Sequence, residues 1–166
     1  MAVTAEFVRS VFKGLETGDG ADFFKYVVDN VDWTVMGAHP LAGHYRSKAA
    51  FLAGTFAQLG RALQKGAQLS VEHLIVKDDQ PVVELRSDAT AKNGVRFDNR
   101  YCWVVYFRDD MIVRVRAYLG SAMVPVCSRR IRSPDPRCGP NLSLRHPMFL
   151  QSRKRPEGAK GNVKSS

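Results

Sequence analysis

Arg86 and Asp88 stand two residues apart in the run Glu84-Leu85-Arg86-Ser87-Asp88-Ala89-Thr90. The run reads as a β-strand, and side chains at i and i+2 of a strand share a face. The two charges therefore project together, into a cavity or into water. Directed inward, the carboxylate is a general base for water or a carbon acid, and the guanidinium positions it and depresses its pKa. Directed outward, the pair is ordinary surface charge contributing roughly 0–1 kcal/mol. Val83 and Leu85 occupy the opposite face, so the register of this strand decides between the two. His39 lies in a loop rich in Gly and Pro, beside His44. A histidine at a cavity mouth serves as an acid or base, which makes His39 a candidate catalytic residue beside Asp88 and Arg86. The plainer role is packing, or one backbone hydrogen bond. Trp33, Tyr101 and Trp103 are either walls of a ligand pocket or core aromatics. No His, Asp or Glu residues recur at ligand spacing on one element, so neither a metal site nor a cofactor is expected.

These side chains need elements to hold them. Residues 3–17 predict an amphipathic helix capped by Thr4, with Phe7, Val8, Val11, Phe12 and Leu15 on one face and Gly18 at its end. A short helix over about 21–28 follows, then a strand in which Val31, Trp33 and Val35 alternate with polar residues. Gly37 to Tyr45 reads as a loop. Ser47 caps a third helix over about 48–64. The period then changes from 3.6 to 2, predicting strands at about 67–77, 82–91, 96–107 and 111–119. Asp78-Asp79-Gln80-Pro81, Asn93-Gly94 and Arg108-Asp109-Asp110 turn the chain between them. Helices first and a meander last predict an α+β domain, helices on one face of a curved antiparallel sheet. From Val124 onward Pro, Ser and Arg dominate, which predicts a domain over 1–124 and a disordered tail over 125–166.

Charge follows the same division. The chain of 166 residues carries a net charge of +9. Residues 127–166 hold ten Lys and Arg against two Asp and Glu, which is +8 and leaves +1 for the rest. A nearly neutral body argues against a nucleic-acid-binding fold, which carries its basic stripe on the fold itself. No run approaches the ~18 apolar residues of a membrane span, and the N-terminus lacks the pattern of a secretory signal. Three cysteines at no recognisable spacing suit a reduced, cytoplasmic protein.

The order of elements resembles the nuclear transport factor 2-like superfamily, which includes SnoaL-like polyketide cyclases, ketosteroid isomerase and limonene epoxide hydrolase. The segments that carry the resemblance are Asp32-Trp33-Thr34-Val35-Met36-Gly37, His39-Pro40-Leu41-Ala42-Gly43-His44-Tyr45, and Asp98-Asn99-Arg100-Tyr101 through Arg116-Ala117-Tyr118-Leu119. They look most like the SnoaL-like group and span about residues 3–124. The resemblance implies a cone-shaped α+β barrel with three N-terminal helices and an apolar pocket between sheet and helices. It also implies a homodimer formed through the open sheet face. Arg86-Ser87-Asp88 matches the Arg-x-Asp of the epoxide hydrolases. The second acid of that arrangement corresponds to Ala117, and Trp33 and Val35 stand where those enzymes hold water. The ketosteroid isomerase base falls near Thr34 and its tyrosine near Val11, so neither is matched. Many SnoaL-like proteins carry an acid where this chain has Gly120. The resemblance therefore implies a cofactor-free tailoring enzyme of secondary metabolism acting on an apolar polyketide or terpenoid. Ring closure or isomerisation is expected ahead of epoxide opening, with Asp88 as base, Arg86 beside it, and Trp33, Val35, Tyr101, Trp103 and Ala117 around the substrate. The competing expectation is a non-catalytic binding or dimerising module on the same fold.

Overall fold

The computed structural model describes residues 2–17, 19–120 and 124. The expected tail, the boundary before it, Cys127 and Cys138 lie outside the described residues. Among the described residues four short helices, α1 (Ala5–Lys13), α2 (Ala21–Phe24), α3 (Lys48–Gly54) and α4 (Phe56–Ala62), accompany six strands. The strands are β1 (Val27–Val35), β2 (Gly43–Tyr45), β3 (Leu69–Ile75), β4 (Val82–Thr90), β5 (Arg96–Arg108) and β6 (Met111–Leu119). They form one sheet in the order β2-β1-β6-β5-β4-β3.

The expected α+β class is borne out, with corrections to its parts. The sheet is mixed, because β1 runs parallel to β6 while every other pair is antiparallel. Thr4 caps α1 as expected, its Oγ1 accepting from the Phe7 amide at 3.1 Å. The helix stops at Lys13, and α2 crosses so near that a Cβ on Gly14 would strike the Phe23 amide nitrogen. Leu15 still reaches the core from the turn beyond. Val27 and Val28 open β1 rather than close a helix. The single helix expected over 48–64 is two, broken at Thr55 (φ −127°, ψ −73°), whose hydroxyl donates to the Phe51 carbonyl at 2.6 Å. Part of the expected loop pairs with β1 as β2, through Trp33 opposite Tyr45 and Val35 opposite Gly43.

Alternation along the strands separates two faces. Phe97, Asn99, Tyr101, Trp103, Val105 and Phe107 of β5 are buried, while Arg96, Asp98, Arg100 and Arg108 are exposed. The buried face meets the helices in a core crowded with aromatic rings. Trp33 stacks on Phe51 at 3.8 Å between centroids, and Trp103 meets Trp33 edge-on at 5.2 Å. Burying such rings contributes roughly 1.5–3 kcal/mol each by area, with about 0.5–1.5 kcal/mol more for each well-oriented pair.

Candidate functional site

Strand parity settles the position of Arg86 and Asp88. On β4, Val83, Leu85, Ser87 and Ala89 point into the core, whereas Glu84, Arg86, Asp88 and Thr90 point out. The expectation that Arg86 and Asp88 line a pocket is therefore corrected. Burying two charges among aromatic rings costs far more than burying Ser87 between Leu85 and Ala89, and the strand takes the cheaper register. Asp88 instead pairs with Arg96 at 3.1 Å, and Arg86 lies 3.7 Å from Glu72. Both belong to a ladder across the outer face, in which Arg100 contacts Glu72 at 3.1 Å and Asp98 at 2.9 Å.

The inner face holds a different site. A pocket with a cavity volume of about 40 Å³ lies between sheet and helices. Trp33 and Val35 of β1, Tyr101 and Trp103 of β5, Ala117 of β6 and His39 all border it. All five expected pocket walls thus come together, joined by His39. The sequence reading missed the walls given by α3 and α4, namely Phe51, Phe56 and Leu59 around Thr55. Their helical spacing was visible, but the break at Thr55 that turns them onto the pocket was not. The volume holds one or two waters, well below the ~300 Å³ of a typical small-ligand site. A larger ligand therefore enters only as the rings move apart.

The pocket has little titratable chemistry. Among the described residues that line it there is no carboxylate. His39 is buried, and both ring nitrogens face the backbone of its own loop. Nδ1 accepts from the Leu41 amide at 3.3 Å, and Nε2 lies 3.2 Å from the Met36 carbonyl. That pairing assigns a neutral ring with its proton on Nε2, a loop fastener rather than a base with an open lone pair. The Tyr45 hydroxyl donates to the Leu41 carbonyl at 3.0 Å, and burial pushes its pKa up, which keeps it a neutral donor. His44 lies outside the pocket, on the exposed side of β2. Its Nε2 donates to Asp32 Oδ1 at 2.6 Å, while Arg114 Nε donates to Oδ2 at 2.9 Å. His44 and Arg114 hold the Asp32 carboxyl below its ordinary value against a smaller opposing effect of burial.

Two of the walls also carry unpaired donors. The indole Nε1 atoms of Trp33 and Trp103 are buried and have no hydrogen-bond partner among the described residues. An indole N–H only donates, so these two suit an oxygen acceptor on a bound molecule. No cluster of His, Cys, Asp or Glu among the described residues could hold a metal ion. Among the same residues no helix is long and apolar enough to cross a membrane.

A six-stranded sheet closed by short helices over an apolar pocket defines a known class. The SnoaL-like domain model matches residues 8–115, and the chain belongs to that family. Dimerizing cyclase phiC, from a fungal species, is 28% identical over 126 residues, covering 74% of this chain and 55% of the relative. The chain thus spans about half the length of that curated relative. Among solved structures, an NTF2-like protein from Burkholderia thailandensis superposes with a TM-score of 0.64 at 22% identity, over 74% of this chain and 94% of that one. A protein of ketosteroid isomerase-like fold from Catenulispora acidiphila, solved with trimethylamine, gives 0.60 at 12% identity, over 76% and 95%. These structures share the fold.

Proposed function

We propose that this domain is a cofactor-free tailoring protein of secondary metabolism. It encloses a small apolar, oxygenated metabolite of the polyketide or terpenoid type and promotes ring closure or isomerisation within it. The observation that carries this reading is the pocket itself, walled by Trp33, Phe51 and Trp103, of which the two tryptophans carry buried indole N–H groups without a partner among the described residues. Confinement brings reacting carbons of one molecule together, and pre-arranged proximity alone removes several kcal/mol of a barrier. The indole N–H groups are suited to the negative charge that builds on a carbonyl oxygen as the bond forms. The family membership and the cyclase relative support the reaction class. A base role for Asp88 has no support, because its carboxylate is on the other side of the sheet. Water activation for epoxide opening is disfavoured for the same reason.

The absence of a carboxylate from the described lining favours one competing reading, a module that binds the metabolite without converting it. Ala117→Phe tests both, because Ala117 is buried against the pocket between Val35 and Trp103. The neutral fluorophore N-phenyl-1-naphthylamine, excited through the tryptophans, serves as the probe. Its binding is expected to fall at least tenfold in Ala117→Phe and to stay unchanged in Arg86→Ala. Equal binding by all three proteins refutes the pocket reading. Formation of a cyclised product from a linear polyketide thioester by wild type, and not by Ala117→Phe, separates enzyme from binder. The domain is further proposed to act as a homodimer in the cytoplasm, with the outer sheet face as the contact.

A further inference from the structure

The interior contains two polar side chains that the pocket walls do not account for. Ser87 of β4 and Asn99 of β5 are register partners, directly opposite each other and both on the buried face. Ser87 is fully buried and Asn99 is 3% exposed. Ser87 Oγ and Asn99 Nδ2 have no hydrogen-bond partner among the described residues. Leaving a buried polar group unpaired is costly, and native proteins rarely keep two together without use for them.

Neither lines the pocket, but their neighbours do. Phe97 and Tyr101, two residues either side of Asn99 on the same strand face, both line it. Leu69, the partner of Ser87 on β3, lines it as well. The Asn99 amide is also oriented. Its Oδ1 accepts from the Arg100 amide at 3.0 Å, which commits the nitrogen end to donation. Gly120 makes that orientation possible, because a Cβ there would lie 2.6 Å from Asn99 Oδ1.

We propose that Ser87 and Asn99 form a hydrogen-bonding subsite that takes a ketone or enolate oxygen of the bound metabolite. This rests on the pocket reading above and adds to it a defined functional group on the ligand. Ser87 and Asn99 are opposite one another on adjacent strands, and in the proposed subsite one oxygen accepts from both. Because both donors are fixed in a dry interior, the subsite prefers a carbonyl to a hydrocarbon of the same shape.

Acetophenone and ethylbenzene are probes that differ in this group and little else, and equilibrium dialysis gives their affinities. Wild type is expected to bind acetophenone about tenfold tighter. Asn99→Leu is expected to reduce that preference to less than threefold. Ser87→Ala, a smaller truncation that keeps the test open should Asn99→Leu fail to fold, is expected to weaken it by about threefold. Equal binding of the two probes by wild type overturns the subsite and leaves the pocket standing. A preference that survives both substitutions does the same and assigns the oxygen to the indole donors. Failure of wild type to bind either probe overturns the pocket and the subsite together.

Discussion

Phe51→Ala distinguishes a ligand pocket from a filled core. Phe51 is 3% exposed, stacks on Trp33 at 3.8 Å and meets Tyr45 edge-on at 5.6 Å. Truncating a buried Phe costs about 3–5 kcal/mol, the transfer of the ring plus the void it leaves. The stacked and edge-on partners push the value up within that range. Phe51 already borders a cavity, however, and the added space joins the existing one instead of forming a sealed void. The expected loss is therefore about 3 kcal/mol, read from urea unfolding as a lower midpoint with unchanged slope. A domain with 5–15 kcal/mol to spare survives that loss. The informative readout is the naphthylamine probe. Enlarging a pocket too small for a typical ligand should tighten binding by the folded protein, even though the protein is less stable. A destabilisation below about 1 kcal/mol refutes the packing argument. Full destabilisation with weaker probe binding refutes the enlargement argument, because Phe51 would then be a contact the ligand needs and not a ring in its way.

The remaining predictions concern charges on the outer face. Asp88→Asn should change unfolding free energy by less than about 1 kcal/mol, since Asp88 and Arg96 are 53% and 69% exposed. Probe binding should not change, and an effect on binding greater than threefold would return the pair to the site. Asp32, whose carboxyl titrates below its ordinary value in the fold, stabilises the protein above the unfolded carboxylate value near pH 3.9. That contribution is lost as pH falls through the lower folded value. At 41% exposure it amounts to no more than about 1 kcal/mol. Asp32→Asn should therefore flatten the acid limb of the stability profile below about pH 4 by that amount. Superimposable limbs would show that His44 and Arg114 do not stabilise the carboxylate.

The meander was legible in the sequence because its signal is local. Period-2 alternation and short turns placed β4, β5 and β6 within a residue of their observed ends. The parallel pairing of β1 with β6 joins segments some eighty residues apart, and no local pattern encodes it. β2 is three residues long and inside a loop rich in Gly and Pro, where propensity argues against a strand. Trp33, Val35, Tyr101, Trp103 and Ala117 were found because apolar residues at inward strand positions must line whatever the sheet encloses. The reading of Arg86 and Asp88 erred in weighing their spacing over the cost of burial, which Val83, Leu85 and Ala89 on the other face already made plain. The same alternation carried the signal that was missed. In Val83-Leu85-Ser87-Ala89 and Phe97-Asn99-Tyr101-Trp103, one polar residue interrupts each inward row.

The outer ladder also acts on the folding reaction. A slip of one residue between β4 and β5 would turn one of the two strands over, carrying either Glu84, Arg86 and Asp88 or Arg96, Asp98 and Arg100 into the space beside Trp33 and Phe51. Such a misaligned sheet would bury at least three charges, so it is excluded as soon as the helices close over it. Residues that contribute almost nothing to the stability of the native sheet thereby raise the energy of its nearest mispaired competitor. Replacing the ladder with neutral side chains would leave the native energy almost untouched while removing the chain's means of rejecting the wrong alignment. Its loss would show in refolding yield and not in the melting temperature.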